Sequence, residues 1–183
     1  MMLKTRLYSA SILKTQIAES RDRLYRVALA WCGDEMLADD LAQQTITSGI
    51  INYKQLRDKS RLYPWLYTIL RNEWYRHLQS ARPHEGLDSQ LISEEAGPYS
   101  DYQELEMVER VRHAVASLPE KERQVISLVD LEELSYCDVA SILDIPIGTV
   151  MSRLHRARKI LLMKLAHSTA VSPMSKQHMR VVE

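Results

Sequence analysis

"LSYCDVASILDIPIGTVMSRLHRARKIL", residues 134–161, decides the fold. Ser135 followed three residues later by Asp138 makes an N-terminal capping pattern, with Asp in the place of the usual Glu. A helix started there carries Val139, Ala140 and Leu143 on one face, and Ala140 is small where a second helix must come close. Asp144 falls at a tight turn that needs left-handed backbone, which Asp visits more readily than most residues with a Cβ. Ile145 packs beneath that turn, and Pro146 stops the first helix. Gly148-Thr149 then opens a second helix whose inner face is Val150 and Leu154. Turn chemistry and apolar spacing together predict a helix-turn-helix.

The outer face of its second helix carries Met151, Ser152, Arg153, His155, Arg156 and Lys159, with no acid among them. In such a motif the start of the second helix reaches base edges in the major groove, and flanking basic groups meet phosphates. Arg pairs bidentately with guanine, so Arg153 and Arg156 are the first candidates for sequence readout. A basic helix by itself is more often a solvated face than a DNA reader. The turn chemistry, the small Ala140 and the distribution of charge favour the reader. The chain has 24 basic and 24 acidic side chains and no net charge. Yet from Pro83 to Glu109 there are Asp and Glu but no Lys or Arg, and from Ile145 to Val182 the reverse holds. An acidic segment followed by a basic one is the electrostatic footprint of a nucleic-acid binder.

Outward from the motif, helical periodicity dominates and strand alternation is scarce, so the expected class is all-α. Residues 11–31 place Ile12, Leu13, Ile17, Leu24, Val27, Ala28 and Trp31 at three- and four-residue spacings and read as one helix. Asp34 and Glu35 suit the start of a second, with Leu37, Leu41, Thr45, Ile46 and Ile50 inside. A third begins near Pro64 and runs to Arg82. These three make a first domain, residues 9–82. Residues 83–104 hold two prolines, two glycines and the acidic excess, and read as a flexible acidic linker. The second domain, 105–166, opens with an amphipathic helix bearing Leu105, Val108, Val111, Val115 and Leu118, followed by a helix started at Pro119. The polar residues 167–183 read as a disordered tail.

Composition excludes several classes. No run of about 18 apolar residues exists to span a membrane, and Lys14 interrupts the apolar residues of the N-terminus, which makes it a poor signal peptide. Cys32 and Cys137 lie far apart without metal-ligand spacing and read as partly buried thiols in a reducing cytoplasm. There is no HExxH, Ser/His/Asp or Gly-rich phosphate pattern. Asp39 and Asp40 adjoin in sequence but diverge on a helix, so no metal pair is expected. Neither catalytic residues, cofactor nor metal are predicted.

Residues 117–161, "SLPEKERQVISLVDLEELSYCDVASILDIPIGTVMSRLHRARKIL", resemble region 4 of the extracytoplasmic-function (ECF) group of bacterial RNA polymerase sigma factors. "DDLAQQTI", residues 39–46, resembles region 2.2 of the same family, and "SRLYPWLYTILRN", residues 60–72, the helix that leads into promoter recognition. The resemblance implies a sigma factor that binds core RNA polymerase, through its clamp coiled coil and flap, and directs initiation at specific promoters. Promoter DNA is then the second partner, an anti-sigma protein is a frequent third, and nothing inserts in a membrane. Asp39, Asp40, Leu41, Gln43 and Gln44 would dock on the clamp, with Gln44 where relatives carry Glu. Leu56, Arg57, Asp58, Lys59, Ser60, Asn72 and Arg76 would hold an unstacked base of the −10 element. Leu56 stands where relatives often have Phe, and Asp58-Lys59 replaces a loop that commonly contains Gly. Thr149, Ser152, Arg153, His155, Arg156 and Lys159 would read the −35 duplex. Trp65, Leu66, Ile69 and Leu70 are expected in the core rather than under a base. The acidic linker would thread the polymerase channels as a nucleic-acid mimic. A polymerase-independent helix-turn-helix regulator stays open as the alternative, although it leaves the first-domain motifs without a role.

Overall fold

The computed structural model describes residues 2–80 and 102–169, with side chains over 10–80, at 108 and over 110–166. Four helices form the first half: α1 (Met2–Glu19), α2 (Arg21–Cys32), α3 (Glu35–Asn52) and α4 (Leu62–Ser80). Four form the second: α5 (Tyr102–Ala116), α6 (Glu120–Ile126), α7 (Tyr136–Leu143) and α8 (Ile147–Thr169). No strand occurs among the described residues, as the periodicity predicts.

The segment expected as one helix over 11–31 is two. Ser20, buried, has ψ near 0° and donates its hydroxyl to the Gln16 carbonyl at 2.7 Å, and its N–H goes to Ile17 rather than to Gln16. That tightened turn breaks the axis while leaving Leu13, Ile17, Leu24, Val27, Ala28 and Trp31 in one core. α2 ends at Gly33 in the left-handed conformation, φ 72°. α3 then starts on Asp34, whose carboxylate accepts from the Leu37 N–H at 2.7 Å. At Gly49 α3 packs tightly on its neighbours: an added Cβ would lie 3.1 Å from Leu66 and 3.2 Å from Ile17.

In the second half α5 departs from expectation. Val108 and Val111 of the predicted apolar face are exposed, whereas Leu118 of that face is buried as expected and Ala114, outside it, is buried beside it. α5 also starts at Tyr102, inside the stretch assigned to the linker, and α8 runs through Thr169, three residues into the expected tail. The rest of the linker and tail readings, and Leu105, lie outside the described residues or side chains.

α6 continues into a π-helical turn over Ser127–Leu131, after which Glu133 takes φ 56°. This irregular corner turns the neighbouring Glu132 side chain toward the first half, where it is 0% exposed. Its carboxylate accepts from Arg23 Nε at 2.7 Å, from Arg26 at 3.4 Å and from the Tyr67 hydroxyl. Beside it the buried Trp31 indole donates to Ser127 Oγ at 2.7 Å, and Trp74 Nε1 donates to Glu120 at 3.2 Å. The two halves therefore share one continuous core rather than standing apart on a tether.

Burial works against the charge on Arg23, but its hydrogen bonds to Glu132 and Tyr63 outweigh that and raise its pKa. Stripping a partner from a buried pair costs about 3–5 kcal/mol. Arg23 is 34% exposed, which puts its share toward the low end. Burial first, and the adjoining Glu132 second, raise the Tyr67 pKa above its ordinary 10.0. A group whose folded pKa is raised stabilises the fold below its unfolded value and loses that contribution as pH climbs past it. The urea midpoint of the wild type should thus fall more steeply above pH 10 than that of Tyr67→Phe, and identical slopes would remove Tyr67 from this role. At Gly49, a Leu substitution should lower stability by about 1–3 kcal/mol in urea denaturation through overpacking.

Candidate nucleic-acid interface

The helix-turn-helix forms as its residues dictate. Ser135 Oγ accepts from the Asp138 N–H at 3.1 Å and donates to the Asp138 carboxylate at 2.6 Å. The capping pattern is therefore half made: Asp138 takes the hydroxyl instead of reaching back to the Ser135 N–H. Asp144 adopts φ 54° and ψ 53°, the left-handed turn expected of it. Thr149 and Val150 donate their N–H groups to the Pro146 carbonyl at 2.8 and 3.2 Å, which starts α8.

α8 seats Val150, Leu154 and Ala157 in the core and turns Ser152, His155, Arg156 and Lys159 to the opposite side. Thr149 and Arg153 flank that face, half-buried. Arg153, His155 and Lys159 make no ion pair with another described residue. Arg156 leans on Ser152 O at 3.3 Å and on Glu122 at 3.5 Å while staying largely exposed. Arg158 is different in kind: it holds Asp130 through bonds of 2.6 and 3.1 Å, which raise its pKa, and pins α8 to the π turn. The face can present several positive groups to a major groove without moving the helix.

The second cluster lies between α3 and α4, on two short 3₁₀ turns, Tyr53–Gln55 and Lys59–Arg61. Asp58 accepts from the Ser60 N–H at 2.9 Å and from its hydroxyl at 2.7 Å, and these bonds lower the Asp58 pKa. An Asx turn thus supplies the loop geometry that glycine would otherwise give. Leu56, Arg57 and Asp58 border a cleft with Trp65 and Thr68. Trp65, expected in the core, packs against it while half-buried and also forms an aromatic wall of that cleft. Leu66 and Leu70 are core, as expected.

The remaining −10 candidates are dispersed. Lys59 and Ser60 border a different shallow hollow, with Gln16 and Tyr63. Asn72 accepts from Arg71 at 2.9 Å, and Arg76 is paired with Glu73 at 2.5 Å. Neither lines the cleft.

On α3, Asp39 accepts from Arg21 at 2.5 Å and from Gln43 Nε2 at 2.7 Å, and Asp40 and Gln44 are exposed one turn apart. Leu41 is corrected: at 1% exposure it belongs to the core and is not available to a partner. Cys137 is likewise exposed rather than partly buried, and both cysteines are free. Among the described residues no helix is long and apolar enough to cross a membrane, and no group of three or more His, Cys, Asp or Glu could hold a metal.

Residues 17–83 match the family described as Sigma-70 region 2, and residues 108–161 match Sigma-70, region 4. The ECF RNA polymerase sigma-E factor of Haemophilus influenzae is 34% identical over 137 residues, 67% of this chain and 71% of that protein. The ECF RNA polymerase sigma factor SigW of Bacillus subtilis is 28% identical over 153 residues, 77% of this chain and 82% of that one. Among solved structures, the sigma factor RpoE of Bartonella quintana in complex with the anti-sigma factor NepR superimposes with TM-score 0.65. It is 28% identical and covers 84% of this chain and 96% of its own.

Met151 is 53% exposed on α8, beside the basic groups. Met151→Arg should tighten binding to duplex DNA of any sequence and steepen its salt dependence by about one unit of log K against log salt, as one added phosphate contact requires. Filter binding across a salt series reads both, and no change in slope would remove Met151 from the DNA face.

Proposed function

From its membership of the ECF RNA polymerase sigma factors, which makes the chain a factor for promoter-specific transcription initiation, we propose how its residues divide that work. α8 enters the −35 major groove, with Arg153 and Arg156 on base edges and Thr149, Ser152, His155 and Lys159 supporting from bases and phosphates. The exposed basic face of α8, free of acids and opposite a fully buried Val150–Ala157 seam, carries this reading.

The cleft of Leu56, Arg57, Asp58 and Trp65 takes a base from the opened −10 strand. Single-stranded bases bind where a stacking wall stands beside positive charge, and Trp65 with Arg57 and Arg61 offers both. Lys59, Ser60, Asn72 and Arg76 lie outside the cleft and would follow the strand's backbone. Asp39, Asp40, Gln43 and Gln44 form the dock for the clamp coiled coil, and the second half meets the flap. The chain itself performs no chemistry: it lends core polymerase a reader for duplex and a holder for the melted strand. It works in the cytoplasm, and an anti-sigma protein of the kind bound to the Bartonella relative restrains it.

Transcription in vitro with core polymerase, sequenced at the 5′ ends, tests these assignments. The wild type should select discrete start sites whose upstream sequences share a −35 and a −10 element. Arg153→Ala should cost about 1–3 kcal/mol, or roughly 5- to 150-fold, in promoter affinity and relax the −35 sequence. Arg57→Ala should leave duplex binding intact and slow promoter opening. Tight, specific duplex binding without any polymerase-dependent start site would instead favour the free-standing regulator.

A further inference from the structure

Arg156 differs from the other basic groups on the outer face of α8 in having an acid against it. Its Nε lies 3.5 Å from the Glu122 carboxylate of α6 and donates to the Ser152 carbonyl at 3.3 Å. Glu122 is itself buried, 8% exposed, in the first turn of α6, where the free N–H groups of a helix start favour negative charge. The Arg156 side chain, by contrast, is 59% exposed. One end of the pair is thus fixed inside the protein, and the other stands on the DNA face.

The pair is a poor device for stability. With a long contact and the guanidinium largely in water, an ion pair of this kind contributes little. Enclosing a carboxylate costs more than such a partner offsets. Orientation is the better use. Both contacts fall on Nε, so the four N–H donors on the two Nη atoms remain for a ligand, in the plane that the Nε contacts fix. Two of them are what guanine O6 and N7 take bidentately. An untethered arginine can swing instead to a neighbouring phosphate, a contact that positions the protein without carrying sequence. A fixed carboxylate beside the guanidinium holds it back from that swing and repels the phosphate.

We propose that Glu122 is a positioning residue for promoter choice: its buried carboxylate holds Arg156 on the base edge it reads in the −35 groove and away from the phosphates. The role of Glu122 rests on the assignment of Arg156 to a base edge made above. Two consequences have opposite signs. With the restraint gone, Arg156 must be ordered at binding, and immobilising one such side chain costs about 2- to 12-fold. The right base pair bears that loss and the wrong ones do not, so discrimination falls. With the negative charge gone, Arg156 is free for phosphates, so affinity for unrelated duplex rises.

The test uses core polymerase loaded with the full chain, as wild type, Glu122→Gln, Glu122→Asp, Arg156→Ala and the Glu122→Gln/Arg156→Ala double variant. Promoter duplexes changed at one −35 base pair at a time report discrimination. Filter binding of the full chain alone to a duplex without the element reports nonspecific affinity. Arg156→Ala should abolish discrimination at one base pair. Glu122→Gln should lower it about 2- to 12-fold at that same pair, spare the other positions, raise nonspecific affinity, and add nothing in the double variant. Glu122→Asp keeps the charge but falls one methylene short of Arg156, and should lose the same discrimination without the nonspecific gain. A selective Arg156→Ala with a silent Glu122→Gln overturns the positioning alone. An Arg156→Ala that weakens all duplexes equally puts Arg156 on a phosphate and overturns the readout together with the positioning. For Glu122→Gln, a loss spread over every −35 position, or a fall in nonspecific affinity, marks displacement of a helix and overturns the proposal. Circular dichroism guards against unfolding: should Glu122→Gln lose helix, Glu122→Asp carries the readout.

Discussion

A carboxylate with no access to water organises this molecule. Glu132 comes from the irregular corner between α6 and α7, and its partners come from α2 and α4. An unpaired charge there would be prohibitive, so Arg23, Arg26 and Tyr67 must be in place whenever the halves are together. The corner is itself built for delivery. A π-helical turn at Ser127–Leu131 and a left-handed Glu133 cost backbone energy that a plain helix would not. That cost is offset where Glu132, Ser127 and Ile142 meet the first half. The same contacts tie the two halves into one core.

Much of this was legible in the sequence, for identifiable reasons. The helix-turn-helix was readable because its signals are local: a capping Ser135, a left-handed Asp144, a Pro146 that ends one helix and begins the next. The basic face of α8 followed from counting charges on one helix. Helix starts at Asp34 and Pro119 were legible on the same grounds. The break at Ser20 was not, since the apolar spacing runs on unchanged through it and only the backbone turns. α5 misled in part, because Val108 and Val111 of its apolar stripe stay exposed while Ala114, outside the stripe, is buried with Leu118.

What the sequence could not show is nonlocal. Glu132 reads as one acid among several in "DLEEL", and nothing around it signals partners more than sixty residues away in Tyr67 and over a hundred away in Arg23. Leu41 was placed inside by its periodicity and on a partner surface by the motif it lies in, and the periodicity was the better guide: one step round from Asp40, it is in the core. Trp65 went the other way, since half-burial lets a side chain serve the core and a binding wall together.

The account turns on two halves that share one core in the free protein and would each meet a separate promoter element. A distance measured between a fluorophore on the exposed Cys137 of α7 and another on Ser80→Cys at the end of α4, with Cys32 replaced by Ser, addresses this directly. In the free protein the pair should report roughly 30 Å, the length of α4, because Asp138 beside Cys137 is held at the opposite end of that helix, and on adding core polymerase with promoter DNA the distance should lengthen toward the roughly 80 Å that separates the two elements. A distance that stays short in an actively initiating complex would contradict it.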